Sequence, residues 1–512
     1  MKKSVVALMV LIGIIVGVGV VGAATAVASN GTRTAAAPPA GGESGAVAIA
    51  WNQELLHIVQ TPGAQPASLH PTRSFAILQA AIYDSVVSIT KDDRPYLVSV
   101  PAARGTRVDA AAAQAGHDVL AALYPKWQTE LDGQLTTELA AIPDGTAKQD
   151  GIQVGRSVAK QLLAIRATDG SANPAPAFVA GTQPGDFRPV PAAFAAPVFT
   201  GWANVKPFVL DSASQFRPVA PPAVTSAGYA NSLNEVKSLG QNTSSTRTAD
   251  ETVTAKFWAG PIWNTWNEIA DKAAVAHHSN LETTSRLLAV LNLSFADGVI
   301  AFYDAKYQYA VWRPITGIRL GDTIGNPGIT GDPTWTPLAT TPADPSFPGA
   351  HSTISEAGAT ILSAYYGNEA QIAVTSDVLP GVVTQFNSYQ DIATEAGLSR
   401  IFAGVHTRLD HEAGLALGRG VAQLVLRTQT QPISGATRTR RHPARPAATR
   451  AATSKTSTSR EREPAPPGSP LGTTDAAIRA QMARSRTAGA AIRAHVARSR
   501  TAGAAIRAQM AG

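Results

Sequence analysis

The feature that most restricts what this chain can fold into is a spacing of apolar positions at three and four residues, repeated in block after block. The segments 73–89, 108–124, 126–141, 150–167, 285–312, 353–366 and 398–428 all carry it on Ala-rich faces. That is the pattern of helices burying one stripe against neighbours. Thr353 and Glu356 have the spacing of a capping box that opens one of these helices, and Gly367-Asn368 closes it. No pair of alternating runs is joined by a tight Asn-Gly or Asp-Gly turn, so nothing argues for a sheet. The expectation is an all-α helical-bundle domain over 51–430. Its Pro-rich connections, 171–224 and 319–350, are long enough to suggest function.

The ends of the chain differ from this core. Lys2 and Lys3 precede an uncharged apolar run from Val5 to Val21, and Ala26-Val27-Ala28 offers a small-x-small cleavage pattern. Residues 1–28 therefore read as an export signal, or alternatively as an uncleaved anchor, and the domain is expected outside the cytoplasm. Residues 29–50 are an Ala/Gly/Pro spacer. A Pro/Ser/Thr/Arg-rich linker at 431–475 leads to basic repeats of period fourteen at 476–512, and both are expected to be disordered.

Charge separates the same parts. The formal +7 would suit a nucleic-acid binder, but 431–512 alone carries +12 and 29–430 is about −7. The basic tail would contact acidic surfaces, and no specific nucleic-acid partner is expected. With no cysteine, thiolate zinc sites, iron–sulfur clusters and cysteine nucleophiles are excluded.

Three segments carry candidate chemistry. Lys306 and Arg313 stand seven residues apart, about two turns of a continuous helix, so both would face one side some 10 Å apart. Pro314 disfavours helical geometry at Arg313 and would end the helix there. Two fixed cations suit a multiply charged oxyanion, with arginine supplying a fork. In Pro348-Gly349-Ala350-His351, a turn at a helix start aims backbone N–H groups at the same anion. His351 would act there as acid or base. In Ser399-Arg400…Gly404…His406, Arg400 and His406 reach one ligand only if the chain bends between them, and Gly404 is the natural place. Surface Lys/Arg pairs and capping histidines are common, so each segment alone is weak.

Together, the three resemble the vanadium-dependent haloperoxidase and type 2 phosphatidic acid phosphatase superfamily. Its signature runs Lys-x6-Arg-Pro, then Pro-Ser-Gly-His, then Ser-Arg-x5-His. Segments around Thr72-Arg73, Ala81-Ile82-Tyr83-Asp84, Gln215-Phe216-Arg217-Pro218 and Arg247-Thr248-Ala249-Asp250 also look like extracellular haloperoxidase-like members. The resemblance covers roughly 51–428 and implies two four-helix bundles. It implies that Lys306, Arg313 and Arg400, with backbone near Gly349 and Ala350, bind the oxygens of vanadate or phosphate. His406 would be the metal ligand to vanadium or the attacking nucleophile, and His351 the acid/base. The implied activity is oxidation of a halide by hydrogen peroxide with vanadate as cofactor. The alternatives are a secreted acid phosphatase passing through phospho-His406, with no cofactor beyond its substrate phosphomonoester, or an impaired anion binder.

The sequence departs from the signature at two places. Gly349 and Ala350 replace Ser-Gly, which removes a hydroxyl that Ser346 or Ser352 would have to replace. Seven residues before His351, where chloride-oxidising members carry an aromatic and bromide-oxidising members often a histidine, stands Asp344. A carboxylate there would repel a halide. Asp84, Asp297, Asp304 and Asp410 are candidates for orienting the site's Arg and His side chains. His70 reads as a loop residue, His277 and His278 as solvated, and His411 as outside any zinc motif.

Overall fold

The computed structural model describes residues 44–367 and 371–429. The expected export signal, most of the spacer, the linker and the basic repeats lie outside the described residues. Helices run in the order α1 (Ala46–Gln60), α2 (Pro71–Thr90), α3 (Val108–Leu123), α4 (Gln128–Ala140) and α5 (Thr146–Arg166). After the first Pro-rich connection come α6 (Ala227–Leu239), α7 (Ala249–Phe257), α8 (Ile262–Ala276), α9 (Leu281–Tyr309) and α10 (Pro314–Arg319). The chain finishes with α11 (Ala350–Tyr366), the strands β1 (Ile372–Thr375) and β2 (Val383–Phe386), α12 (Tyr389–Phe402) and α13 (Arg408–Gln429). The fold is all-α but for that one antiparallel hairpin, in which Ile372 pairs with Phe386.

Two helices organise the rest. α2 starts at Pro71, whose fixed φ suits a first helical position. His70 caps it from the end of the preceding loop, as read, and its ring is buried against Trp263, at 4.5 Å between centroids, and Phe199. α9 starts at Asn280, whose side chain accepts the Thr283 N–H at 2.9 Å, and ends where Ala310 turns left-handed at φ 44°. α2 packs along α9. α1, α3 and α5 gather on the α2 side, while α8, α11 and α13 pack against α9. α9 is long and apolar enough to cross a membrane, but 94% of its apolar window is buried in this core.

Each central helix holds one buried aspartate with the same task. Asp84 of α2 accepts the backbone N–H groups of Tyr96, Leu97 and Val98 at 2.5–3.1 Å. Asp297 of α9 accepts those of Phe208, Val209 and Leu210 at 2.6–2.8 Å. Irregular segments packed on the core must place their inward N–H groups somewhere, and these carboxylates take three each.

The site end of the molecule depends on a close approach of α11 and α13. A β-carbon at Gly414 would stand 2.5 Å from Gly349 O, and one at Gly418 would stand 2.1 Å from Thr353 O. Two glycines one turn apart therefore let the helix backbones touch.

Several expectations need correction. The spacing over 285–312 overran the helix, which stops at Tyr309, and 398–428 is two helices broken at Gly404. Thr353 and Glu356 do not form a capping box. α11 begins three residues earlier, Thr353 Oγ1 donates to Gly349 O, and Glu356 pairs with Arg419 at 2.7 Å. α1 begins inside the stretch read as spacer, with Ala48 and Ile49 buried.

Candidate oxyanion site

Lys306 lies in the last turn of α9, and Arg313 is the extended residue, at φ −78° and ψ 155°, that precedes α10. They do not share the face of one helix, as their spacing predicted. They converge because the 344–346 loop passes between them. Lys306 Nζ donates to the carbonyls of Pro345 and Ser346 and lies 3.2 Å from Asp344 Oδ2. Arg313 donates through Nε to the Asp344 carbonyl at 2.7 Å and through Nη2 to Asp344 Oδ1. Its Nη1 reaches Val405 O at 2.8 Å and His406 Nε2 at 3.1 Å.

The bend needed to bring Arg400 and His406 together occurs at Gly404. Its φ is +79°, and a β-carbon would stand 2.4 Å from Gly240 O. Past this turn the N–H groups of Val405 and His406 both return to Arg400 O, at 3.0 and 3.3 Å. α13 then begins at Arg408 and brings Asp410 under the imidazole. Asp410 Oδ2 is 3.2 Å from His406 Nδ1 and accepts from Ser346 Oγ and the Thr407 N–H, both at 2.7 Å. A carboxylate at Nδ1 keeps the proton on that nitrogen and leaves the Nε2 lone pair facing the cations.

His351, in the first turn of α11, and Arg400 meet at one backbone oxygen. Trp258 O lies 2.9 Å from His351 Nε2 and 3.4 Å from Arg400 Nη1. Gly349 is already engaged, since its N–H donates to Asp410 O at 2.8 Å. That corrects the expectation that it would face an anion. Ala350, as the first helical residue, keeps an N–H with no acceptor inside its own helix. Ser346 stands on Asp410, and Ser352 Oγ lies 2.9 Å from His411 Nδ1, so neither hydroxyl takes the place of the missing motif serine.

Burial sets the protonation states. Lys306 and Arg313 are at most 1% exposed and Arg400 6%. Burial, opposed by Asp344, brings the Lys306 ammonium down to about 8. Burial and the neighbouring Arg313 lower Arg400 to about 10. The same two influences, against Asp410, hold His406 down at about 4, so its ring is neutral at pH 7. Burial and Arg400 push His351 well below its ordinary value. Burial favours a neutral Asp344, but Lys306 and then Arg313 outweigh it and hold the carboxyl at about 2. Among the described residues, no carboxylate lies within ion-pair distance of Arg400.

The double pairing of Asp344 and the Trp258 carbonyl were not visible in the sequence. Asp410 was one of four candidates, and its place one helical turn after His406 was the signal that could have singled it out. Of the other three, Asp304 pairs with Arg217 at 2.6 Å, and Asp84 and Asp297 hold backbone.

Comparison with known proteins finds similar chains. The VCPO second helical-bundle domain matches residues 286–435, the stretch that supplies all five site side chains. Vanadium chloroperoxidase from Curvularia inaequalis is 25% identical over 249 residues, 36% of this chain, and the chain spans only 39% of that relative's length. A crystal structure of a bacterial vanadium-dependent iodoperoxidase superposes with a TM-score of 0.67 at 24% identity, covering 76% of this chain and 97% of that one. The holo form of a bacterial vanadium-dependent chloroperoxidase gives 0.57 at 16% identity, covering 76% and 98%. Residues 286–435 thus resemble the second helical bundle of vanadium chloroperoxidase, and the described part of the chain shares the fold of bacterial vanadium-dependent haloperoxidases.

Proposed function

We propose that this protein is a vanadate-dependent haloperoxidase-like enzyme that oxidises a halide with hydrogen peroxide. The observation that carries the reading is a neutral imidazole, His406, whose Nε2 lone pair faces buried cations, one of which, Arg400, has no carboxylate partner among the described residues. A buried guanidinium without a counter-charge is costly unless an anion completes it. The donor set fits vanadate on that ground: His406 Nε2 as ligand, Arg400, Arg313 and the Ala350 N–H as donors to the oxygens, and Lys306 as a buried positive charge beside them. Vanadate bound there supplies a Lewis-acidic centre that activates peroxide.

The residues of the chain then have distinct tasks. Asp410 fixes the His406 tautomer and direction. Arg400 and Arg313 hold negative charge that water would otherwise solvate. His351, neutral in the anion-free site with its Nε2–H donated to Trp258 O, is the residue that exchanges a proton once bound anionic oxygens offset the Arg400 guanidinium. Export of the domain, from the leader at 1–28, belongs to the same proposal.

Asp344 favours a second reading, acid phosphatase activity. An ionised carboxylate between Lys306 and Arg313 opposes a halide there. In that reaction His406 Nε2 forms a bond to phosphorus as the alcohol oxygen leaves, His351 protonates that oxygen, and water then cleaves the N–P bond. Assay of the purified chain with and without orthovanadate decides between the two. Bromide oxidation that requires vanadate supports the first. Aryl phosphate hydrolysis that vanadate inhibits supports the second. Neither activity, with phosphate still bound, would leave an anion-binding protein.

A further inference from the structure

Asp344 is unusual for a residue in an anion site. It is 6% exposed and touches two of the three cations that face the anion. All three donors of Lys306 are committed, to Pro345 O, Ser346 O and Asp344. Four of the five Arg313 donors are committed as well, two of them to Asp344. An incoming oxyanion therefore meets Arg400, whose charge no carboxylate among the described residues compensates, and a fixed carboxylate beside the other two cations.

A carboxylate in that position distinguishes anions by whether they carry a proton. Phosphate and vanadate near neutral pH bear at least one hydroxyl, and that O–H can donate to Asp344. Sulfate has no proton to donate, so each of its oxygens close to Asp344 meets an acceptor with an acceptor and a charge with a like charge. Polar recognition of this kind discriminates strongly, because the wrong ligand leaves buried groups unpaired.

We propose that Asp344 is a selectivity residue that accepts a hydrogen bond from a protonated oxyanion, so that the site takes phosphate or vanadate and rejects fully deprotonated tetrahedral anions such as sulfate. This rests on the oxyanion-site reading above. It assigns Asp344 a role toward the ligand, apart from the structural one of neutralising Lys306 and Arg313. Burial and paired cations keep the carboxyl ionised at any pH near neutral, which the accepting role requires.

The test is calorimetric titration of the full chain with inorganic phosphate, orthovanadate and sulfate, for wild type, Asp344→Asn and Arg400→Ala. Wild type is expected to prefer phosphate to sulfate by about 100-fold or more, and Asp344→Asn to bring the two within about tenfold, mainly by gaining sulfate affinity. An unchanged preference in Asp344→Asn overturns the proposal. Should that variant fold poorly, thermal unfolding of wild type alone decides. Phosphate is expected to raise the midpoint and equimolar sulfate to leave it within error, and equal stabilisation by both overturns the proposal. If none of the three anions binds, or if Arg400→Ala binds them as wild type does, the site reading falls and the selectivity role with it.

Discussion

Asp410 Oδ2, in the first turn of α13, stands 3.2 Å from Nδ1 of His406, four residues earlier, and the opposite ring nitrogen, Nε2, stands 3.1 Å from Arg313 Nη1. The imidazole is thus held between a carboxylate and a guanidinium, with its proton on one side and its lone pair on the other. Replacing Asp410 by Ala removes the orienting acceptor and also frees Ser346 Oγ and the Thr407 N–H. Oxyanion affinity is expected to fall by roughly 10–100-fold, the usual cost of losing such a partner. Calorimetric titration with orthovanadate measures it, and an affinity unchanged from wild type would show that the pairing does not matter for binding.

The same arrangement sets a pH dependence. His406 takes a proton in the unfolded chain near its ordinary value but in the fold only at about 4. Its neutral burial therefore contributes stability that is fully present above about pH 6.5 and is lost as pH falls toward 4. Histidine side-chain NMR should show this ring neutral at pH 5.5. A titration midpoint near 6.5 would contradict the burial and the Arg313 contact.

Gly404 makes the site possible at the level of backbone. Gly404→Ala puts a β-carbon 2.4 Å from Gly240 O at φ +79°, so stability should drop by about 2 kcal/mol or more. Chemical denaturation measures it, with vanadate binding as the second readout because His406 hangs on this turn. A loss under about 0.5 kcal/mol would mean that the turn relaxes easily.

Asp84 and Asp297 should behave alike in the two halves of the fold. Each is a buried carboxylate receiving three N–H groups, and burial raises the two to about 7 and about 6 despite those bonds. Changing either to Ala leaves three donors of a buried strap unpaired. The expected cost is about 3 kcal/mol or more for each. Equal and small effects would show that water replaces the carboxylate.

Helix identity was legible because burial on one stripe leaves a period in the sequence, and the 29-residue α9 was the clearest case. Its end was not legible, because residues 310–312 stay apolar or aromatic while Ala310 turns left-handed. The hairpin was hidden for a related reason. Strands of four residues, Ile372–Thr375 and Val383–Phe386, are too short to establish a two-residue period against their surroundings. Lys306, Arg313, His351, Arg400 and His406 could be put forward together because a few chemical types stand in a fixed order along the sequence. Asp344 drew notice only as a misfit. Its pairing with both Lys306 and Arg313 spans 38 and 31 positions of the chain, and no local pattern encodes a contact of that range.

The central claim is that these five side chains hold one oxyanion, and a crystal structure of the protein soaked in orthovanadate tests it most directly. The account predicts vanadium density bonded to His406 Nε2, with Arg400 and Arg313 in contact with its oxygens and His351 on the same side as Arg400. Vanadium bound elsewhere, or no density at a saturating concentration, would contradict it.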